Sequence, residues 1–168
     1  KLMAKITDVI TVYLKAQVAS GVDVVQVFDS WAGCLSPGDY REFVLPYTKK
    51  VVQSVRDSVP VINFSTNTGT YLDVVRQAGG DVIGIDWKVR LDTAWKTIGY
   101  EFAIQGNIDP TILFAPRVEI RKRVKEILDM AGGRPGHIFN LGHGIIVGTP
   151  VDNVRALVDA VHELSGRK

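Results

Sequence analysis

Cysteine, net charge and long apolar runs are all scarce in this sequence, and each shortage excludes something. The single cysteine, Cys34, permits no intramolecular disulfide and no zinc site built from several thiolates, and it suits a reducing compartment. A formal net charge of +2 offers no basic field for nucleic acid. No apolar run is long enough to span a bilayer. The first residues carry charge and helical periodicity, which is not the pattern of a secretory signal. These absences predict a cytoplasmic protein that binds neither nucleic acid nor membrane. What is present is ordinary globular material: 46% hydrophobic and 23% charged residues in a chain of 168, enough for one domain with its own core.

Leu2, Ile6, Val9, Ile10, Tyr13 and Leu14 recur at helical spacing until Gly21 stops the pattern. Val24–Phe28 is short, β-branched and nearly all apolar, as a strand covered on both faces would be. Ser36-Pro37 supplies an N-cap and a first-turn proline for the next helix, with Asp39 at its positive end. Pro46 lies inside that helical stretch and predicts a kink or a division. Further strands are expected over Val59–Phe64, Val82–Ile85, Phe102–Gln105 and Ile138–Asn140. Between and after them come helices over Tyr71–Ala78, Leu91–Thr97, Val118–Met130 and Pro150–Leu164, the last opened by a Thr149-Pro150 cap pair.

Strands alternating with helices imply a parallel sheet with right-handed crossovers. Two architectures fit five such units, an open doubly wound sheet and an incomplete (β/α)₈ barrel. The strand ends favour the barrel. Phe28-Asp29-Ser30, Phe64-Ser65-Thr66, Ile85-Asp86-Trp87, Gln105-Gly106-Asn107 and Asn140-Leu141-Gly142-His143 all pass from apolar to polar or glycine at the carboxyl end. A barrel builds its site from that rim, whereas an open sheet gathers such residues at one switch point. A whole barrel takes roughly 250 residues. The expected architecture is therefore a TIM barrel lacking its first three strands, with barrel strands four to eight present.

The segment Asn140–Ile145 sets His143 between Gly142 and Gly144 at the close of the last strand. Glycine on both sides strips away bulk, so the imidazole is displayed; the plainer reading is a turn that contains a histidine. Four segments now form a set: GVDVVQVFDSWAG (21–33), GIDW (84–87), QGNIDP (105–110) and NLGHGI (140–145). In order and spacing the sequence resembles the C-terminal half of the uroporphyrinogen decarboxylase family, from the first helix to the last.

That resemblance implies a (β/α)₈ barrel that removes carbon dioxide from the four acetate side chains of uroporphyrinogen, giving coproporphyrinogen, with no metal and no organic cofactor. It implies a homodimer for the complete enzyme. It assigns His143 to the cleft, in contact with the substrate and suited to donate a proton or a hydrogen bond near neutral pH. It assigns Ser30 to a substrate carboxylate, because a hydroxyl donates to an anion without adding charge. Phe28 fits an apolar wall under the macrocycle and fits a core phenylalanine equally well. Asp29, Asp86 and Asn107 are expected behind the residues that touch substrate, together with Trp87 and Asp109, the last capping the helix after Pro110. Cys34, His137 and His162 are expected as a small buried or partly buried residue, a strand-start residue and a polar helix face. Arg121-Lys122-Arg123 reads as a solvated helix face.

The resemblance also implies what the 168 residues lack. The family's catalytic aspartate, a Met-Arg-Gln-Ala-Gly-Arg motif whose arginines bind carboxylates, and a cleft tyrosine belong to the N-terminal half. Arg76–Gly79 repeats part of that motif, yet it ends a helix and continues with Gly80, so it is a decoy. The chain alone is therefore expected to be inactive, either a fragment or the ordered remainder of a longer protein. Three other readings stand beside this one. A corrinoid-linked zinc methyltransferase on the same scaffold needs thiolates that one cysteine does not supply. A phosphate cradle over Gly142–Gly148 matches no tight fingerprint. A non-catalytic half-barrel would serve as an interaction module.

Overall fold

Five short, mostly apolar segments become strands, and each lies beside the next one in sequence. The computed structural model describes residues 1–166. Helix α1 (Leu2–Ala19) precedes β1 (Val25–Asp29); a helical turn α2 (Pro37–Asp39) and α3 (Leu45–Gln53) lead to β2 (Val61–Ser65). Then follow α4 (Leu72–Val75), β3 (Val82–Gly84), α5 (Leu91–Ile98), β4 (Ala103–Ile108), α6 (Arg117–Ala131), β5 (His137–Leu141) and α7 (Val151–Leu164). The sheet order is β1-β2-β3-β4-β5 and every pairing is parallel. A doubly wound sheet reverses its strand order at a switch point. This one never reverses, so the right-handed crossovers put the helices on one face. The fold is α/β, five consecutive staves of an incomplete barrel.

The two faces of the sheet have different fates. On the outer face, Val25 and Val61 pack against Leu14, Val51, Val52 and Val55 of the first helices and the turn after α3. Ile83, Ile85 and Ile104 pack on Leu91, Ala94, Trp95 and Ile98, and Trp95 also donates its indole N–H to the Phe102 carbonyl at 2.9 Å. Ile108, Phe139 and Leu141 meet α6 and α7. Each fully buried side chain of this size contributes about 1.5–3 kcal/mol, so the helices are held chiefly here. The alternate residues face inward. Phe28 there is 68% exposed and Ile138 41%, because nothing in the described chain fills the concavity. Gln105 reaches across it to donate to Gln26 Oε1 at 3.3 Å.

Local signals account for most element ends. Ser36 Oγ accepts from the Asp39 N–H at 3.1 Å, as an N-cap does. The helix after it divides ahead of Pro46: residues 40–44 adopt a π-helical turn, and Pro46 sits in the first turn of α3. Strand β2 begins at Val61 rather than Val59, because Pro60 has no N–H to give the ladder. Strand β4 runs three residues past Gln105, since Asn107 and Ile108 pair with Asn140 and Leu141. Thr149 is not the cap of α7. Its hydroxyl is spent on the Ile146 carbonyl at 2.6 Å, and Pro150 occupies the cap position. Cys34 is exposed rather than buried, since the short turn Ala32–Cys34 turns Ala32 inward instead. His137 begins β5 as expected, and His162 and Arg121–Arg123 lie exposed on helices.

Candidate functional site

The carboxyl ends of all five strands meet along one rim, and hydrogen bonds tie its neighbours together. Thr66, just beyond β2, donates its hydroxyl to the Ser30 carbonyl at 2.7 Å, joining the ends of β1 and β2. The Asp86 carboxylate, 3% exposed, accepts the Asn67 N–H at 2.5 Å and the Lys88 N–H at 3.0 Å, joining β2 to β3. Asn107 donates both amide hydrogens, to the Asp86 carbonyl at 2.8 Å and the Val89 carbonyl at 2.6 Å, joining β3 to β4. Its Oδ1 is buried with no hydrogen-bond partner among the described residues. The Gly142 N–H donates to the Ile108 carbonyl at 2.8 Å, joining β4 to β5. Ser30, Asp86, Asn107 and His143 thus share one rim. Ser65 shares it too, but its hydroxyl is buried against Thr68 and is no part of an exposed surface.

His143 is exposed and stands edge-on to Trp87, ring centroids 6.3 Å apart at 88°. The two glycines beside it are not equivalent. A Cβ on Gly142 would overlap the Trp87 amide nitrogen and the Asp86 carbonyl carbon, so only glycine lets β5 press this close to the β3 turn. A Cβ on Gly144 would meet nothing within 4 Å. Phe28 lies on the open concave face with its edge toward Phe64 at 5.8 Å, which excludes the core reading within this chain.

Asp29 is turned away from that face. Its Oδ1 accepts the Trp31 N–H at 3.2 Å and shapes the turn that carries Ser30. Beneath the turn lie Tyr40 and Tyr71, ring centroids 5.5 Å apart, with the Tyr71 hydroxyl donating to the Ala32 carbonyl at 2.8 Å. Burial first, and the nearby Asp29 carboxylate second, raise both phenols above their ordinary value, with Tyr40 the group shifted far. They are neutral props of the rim. Asp109 accepts the Thr111 N–H at 2.9 Å and caps the turn Pro110–Phe114.

Two rim residues were not singled out from the sequence. Asn67 adopts a left-handed φ of 57°, and its side-chain oxygen accepts from Lys88 Nζ at 2.5 Å. The Asn67-Thr68-Gly69 run signals a turn but not this partnership, which depends on β2 and β3 being neighbours. Two surface concavities lie elsewhere, one between α6, β5 and α7 beside His137 and Phe139, the other around Gly80, Tyr100 and Pro135. Both sit at the amino ends of β4 and β5, away from the rim.

Similarity to known proteins agrees with this geometry. The uroporphyrinogen decarboxylase of Carboxydothermus hydrogenoformans is 57% identical over 166 residues, covering 98% of this chain and 47% of that protein. The enzyme of the same name from Sorangium cellulosum is 53% identical over 164 residues, covering 97% and 47%. The chain spans about half the length of the curated relatives it matches. A solved methyltransferase from Methanosarcina mazei superposes with a TM-score of 0.83 at 27% identity, over 94% of this chain and 47% of that one. A family model described as uroporphyrinogen decarboxylase (URO-D) matches residues 1–164, so a chain whose four motif segments share one barrel rim belongs to the uroporphyrinogen decarboxylase family.

Proposed function

We propose that residues 1–168 are the C-terminal part of one uroporphyrinogen decarboxylase barrel, strands four to eight. In this reading the complete enzyme is a carboxy-lyase that removes the four acetate carboxylates of uroporphyrinogen without a cofactor, and it works as a homodimer in the cytoplasm. The observation that carries the reading is that the segments 21–33, 84–87, 105–110 and 140–145 each bring polar or glycine residues to the same rim, beside an open concave face.

The chemistry asks little of a protein. A proton added to a pyrrole ring carbon makes a cation. The bond between the acetate methylene and its carboxylate then breaks, carbon dioxide leaves, and the electron pair neutralises the ring. A second proton adds to the methylene to make the methyl group, and the first proton leaves the ring carbon, which restores the pyrrole. The protein supplies proton donors, a counter-charge and anchors for carboxylates. His143, exposed beside the concavity, is the residue we assign as donor and imidazolium contact. Ser30 is assigned to a substrate carboxylate and Phe28 to the apolar wall under the macrocycle. Asp86 and Asn107 spend their hydrogen bonds on backbone and fix the rim, and Asp29 fixes the turn bearing Ser30. The counter-charging aspartate and the carboxylate-binding arginines are expected from the N-terminal half.

The zinc methyltransferase reading draws only on the more distant structural neighbour. Cys34 is the one thiol, and no three His, Cys, Asp or Glu side chains converge among the described residues. The test is anaerobic incubation of the 168-residue chain with uroporphyrinogen, alone and with the N-terminal half added. We expect coproporphyrinogen only in the second case. Clear turnover by the chain alone would place the catalytic groups here, with Asp29 and Asp86 the first suspects. No turnover by the complete enzyme would overturn the function itself.

A further inference from the structure

The rim also holds a cation that the chemistry above leaves unused. Lys88 follows Trp87 directly, and its Nζ lies 5.5 Å from the centre of the indole ring. The same ammonium donates to Asn67 Oδ1 at 2.5 Å. Neither neighbour is an anion. The other rim-side cation of the same loop, Arg90, is matched by Asp92 at 2.7 Å, whereas Lys88 forms no ion pair among the described residues.

A lysine on a surface normally spreads over many rotamers. This one is held from both sides. The residue holding it, Asn67, sits in a left-handed conformation that non-glycine residues rarely take, and Asp86 fixes it there through the Asn67 N–H. The indole under the ammonium is edge-on to His143. Ammonium, indole and imidazole therefore form one continuous strip along the rim. One of the three ammonium hydrogens goes to Asn67, and no other hydrogen bond from Lys88 Nζ is present among the described residues. A fixed, unneutralised cation beside a flat aromatic surface suits a carboxylate attached to a planar ring.

We propose that Lys88 binds a carboxylate of the tetrapyrrole, an acetate or a propionate, with the pyrrole ring bearing it resting against Trp87. This rests on the decarboxylase reading above. The experiment uses the complete enzyme with Lys88→Gln, Lys88→Met and Lys88→Arg. Gln and Met should raise KM for uroporphyrinogen about 3- to 30-fold, between the worth of an exposed ion pair and that of a hydrogen bond to a charged group. The value of kcat should stay within about twofold, since the contact is made equally in ground and transition states. Arg should restore KM. The wild-type KM should rise with added salt, and the Gln and Met variants should respond less steeply. If the wild-type enzyme turns over while Lys88→Gln matches it in KM and salt response, the inference is overturned and the function stands. Lowered thermal stability with an unchanged KM would make Lys88 only a prop, which overturns it equally. If the wild-type enzyme forms no coproporphyrinogen, the decarboxylase reading fails instead.

Discussion

Replacing Gly142 by alanine tests whether the rim is held together by close backbone approach. The added methyl would sit inside van der Waals contact of the Trp87 nitrogen and the Asp86 carbonyl carbon, both main-chain atoms that cannot rotate aside. Either β5 or the β3 turn must retreat, straining the Gly142 to Ile108 hydrogen bond and the edge-on contact of His143 with Trp87. Overpacking of this kind costs about 1–3 kcal/mol. Displacement of a reacting group by about an ångström is worth on the order of a hundredfold in rate. Gly144→Ala is the matched control: its methyl meets nothing within 4 Å, so stability should stay within about 0.5 kcal/mol. Urea unfolding and anaerobic decarboxylation by the complete enzyme read the two effects separately. Should Gly142→Ala unfold and turn over like Gly144→Ala, the close approach is not what positions His143.

His143→Asn should keep the turn and lower decarboxylation about ten- to a thousandfold, the span for losing one acid–base or electrostatic group; unchanged turnover would return His143 to a turn residue. Asn107→Ala leaves the Asp86 and Val89 carbonyls without their buried donor and should cost about 2–4 kcal/mol in chemical denaturation. A loss below about 0.5 kcal/mol would mean that water replaces the amide. Tyr40 gives a pH test. Its folded phenol titrates above the ordinary value of 10.0, so between the two the unfolded chain has lost a proton that the folded chain keeps. Stability from this group is complete below about pH 10 and declines as pH rises above it. Tyr40→Phe should flatten that alkaline decline relative to wild type, and an identical slope would refute the assignment.

What was legible in the sequence is local. Short β-branched runs between helical periods mark strands and crossovers, because side-chain direction repeats every two residues in one and every 3.6 in the other. Ser36 and Asp109 announce caps since their partners lie two or three residues away. The motif segments gave the rim residues as a set, and His143 as the exposed one. What the tertiary structure alone decided depends on pairs far apart in the chain. Strand order without reversal chose the barrel over the doubly wound sheet. Register put Phe28 on the open face beside Phe64. The link from Asn67 to Asp86 spans 19 residues and that from Lys88 to Asn67 spans 21. Gly142 is needed and Gly144 is not, although both flank the same histidine. Local geometry follows from a residue and its near neighbours, whereas each of these contacts exists only after two strand ends have been brought side by side.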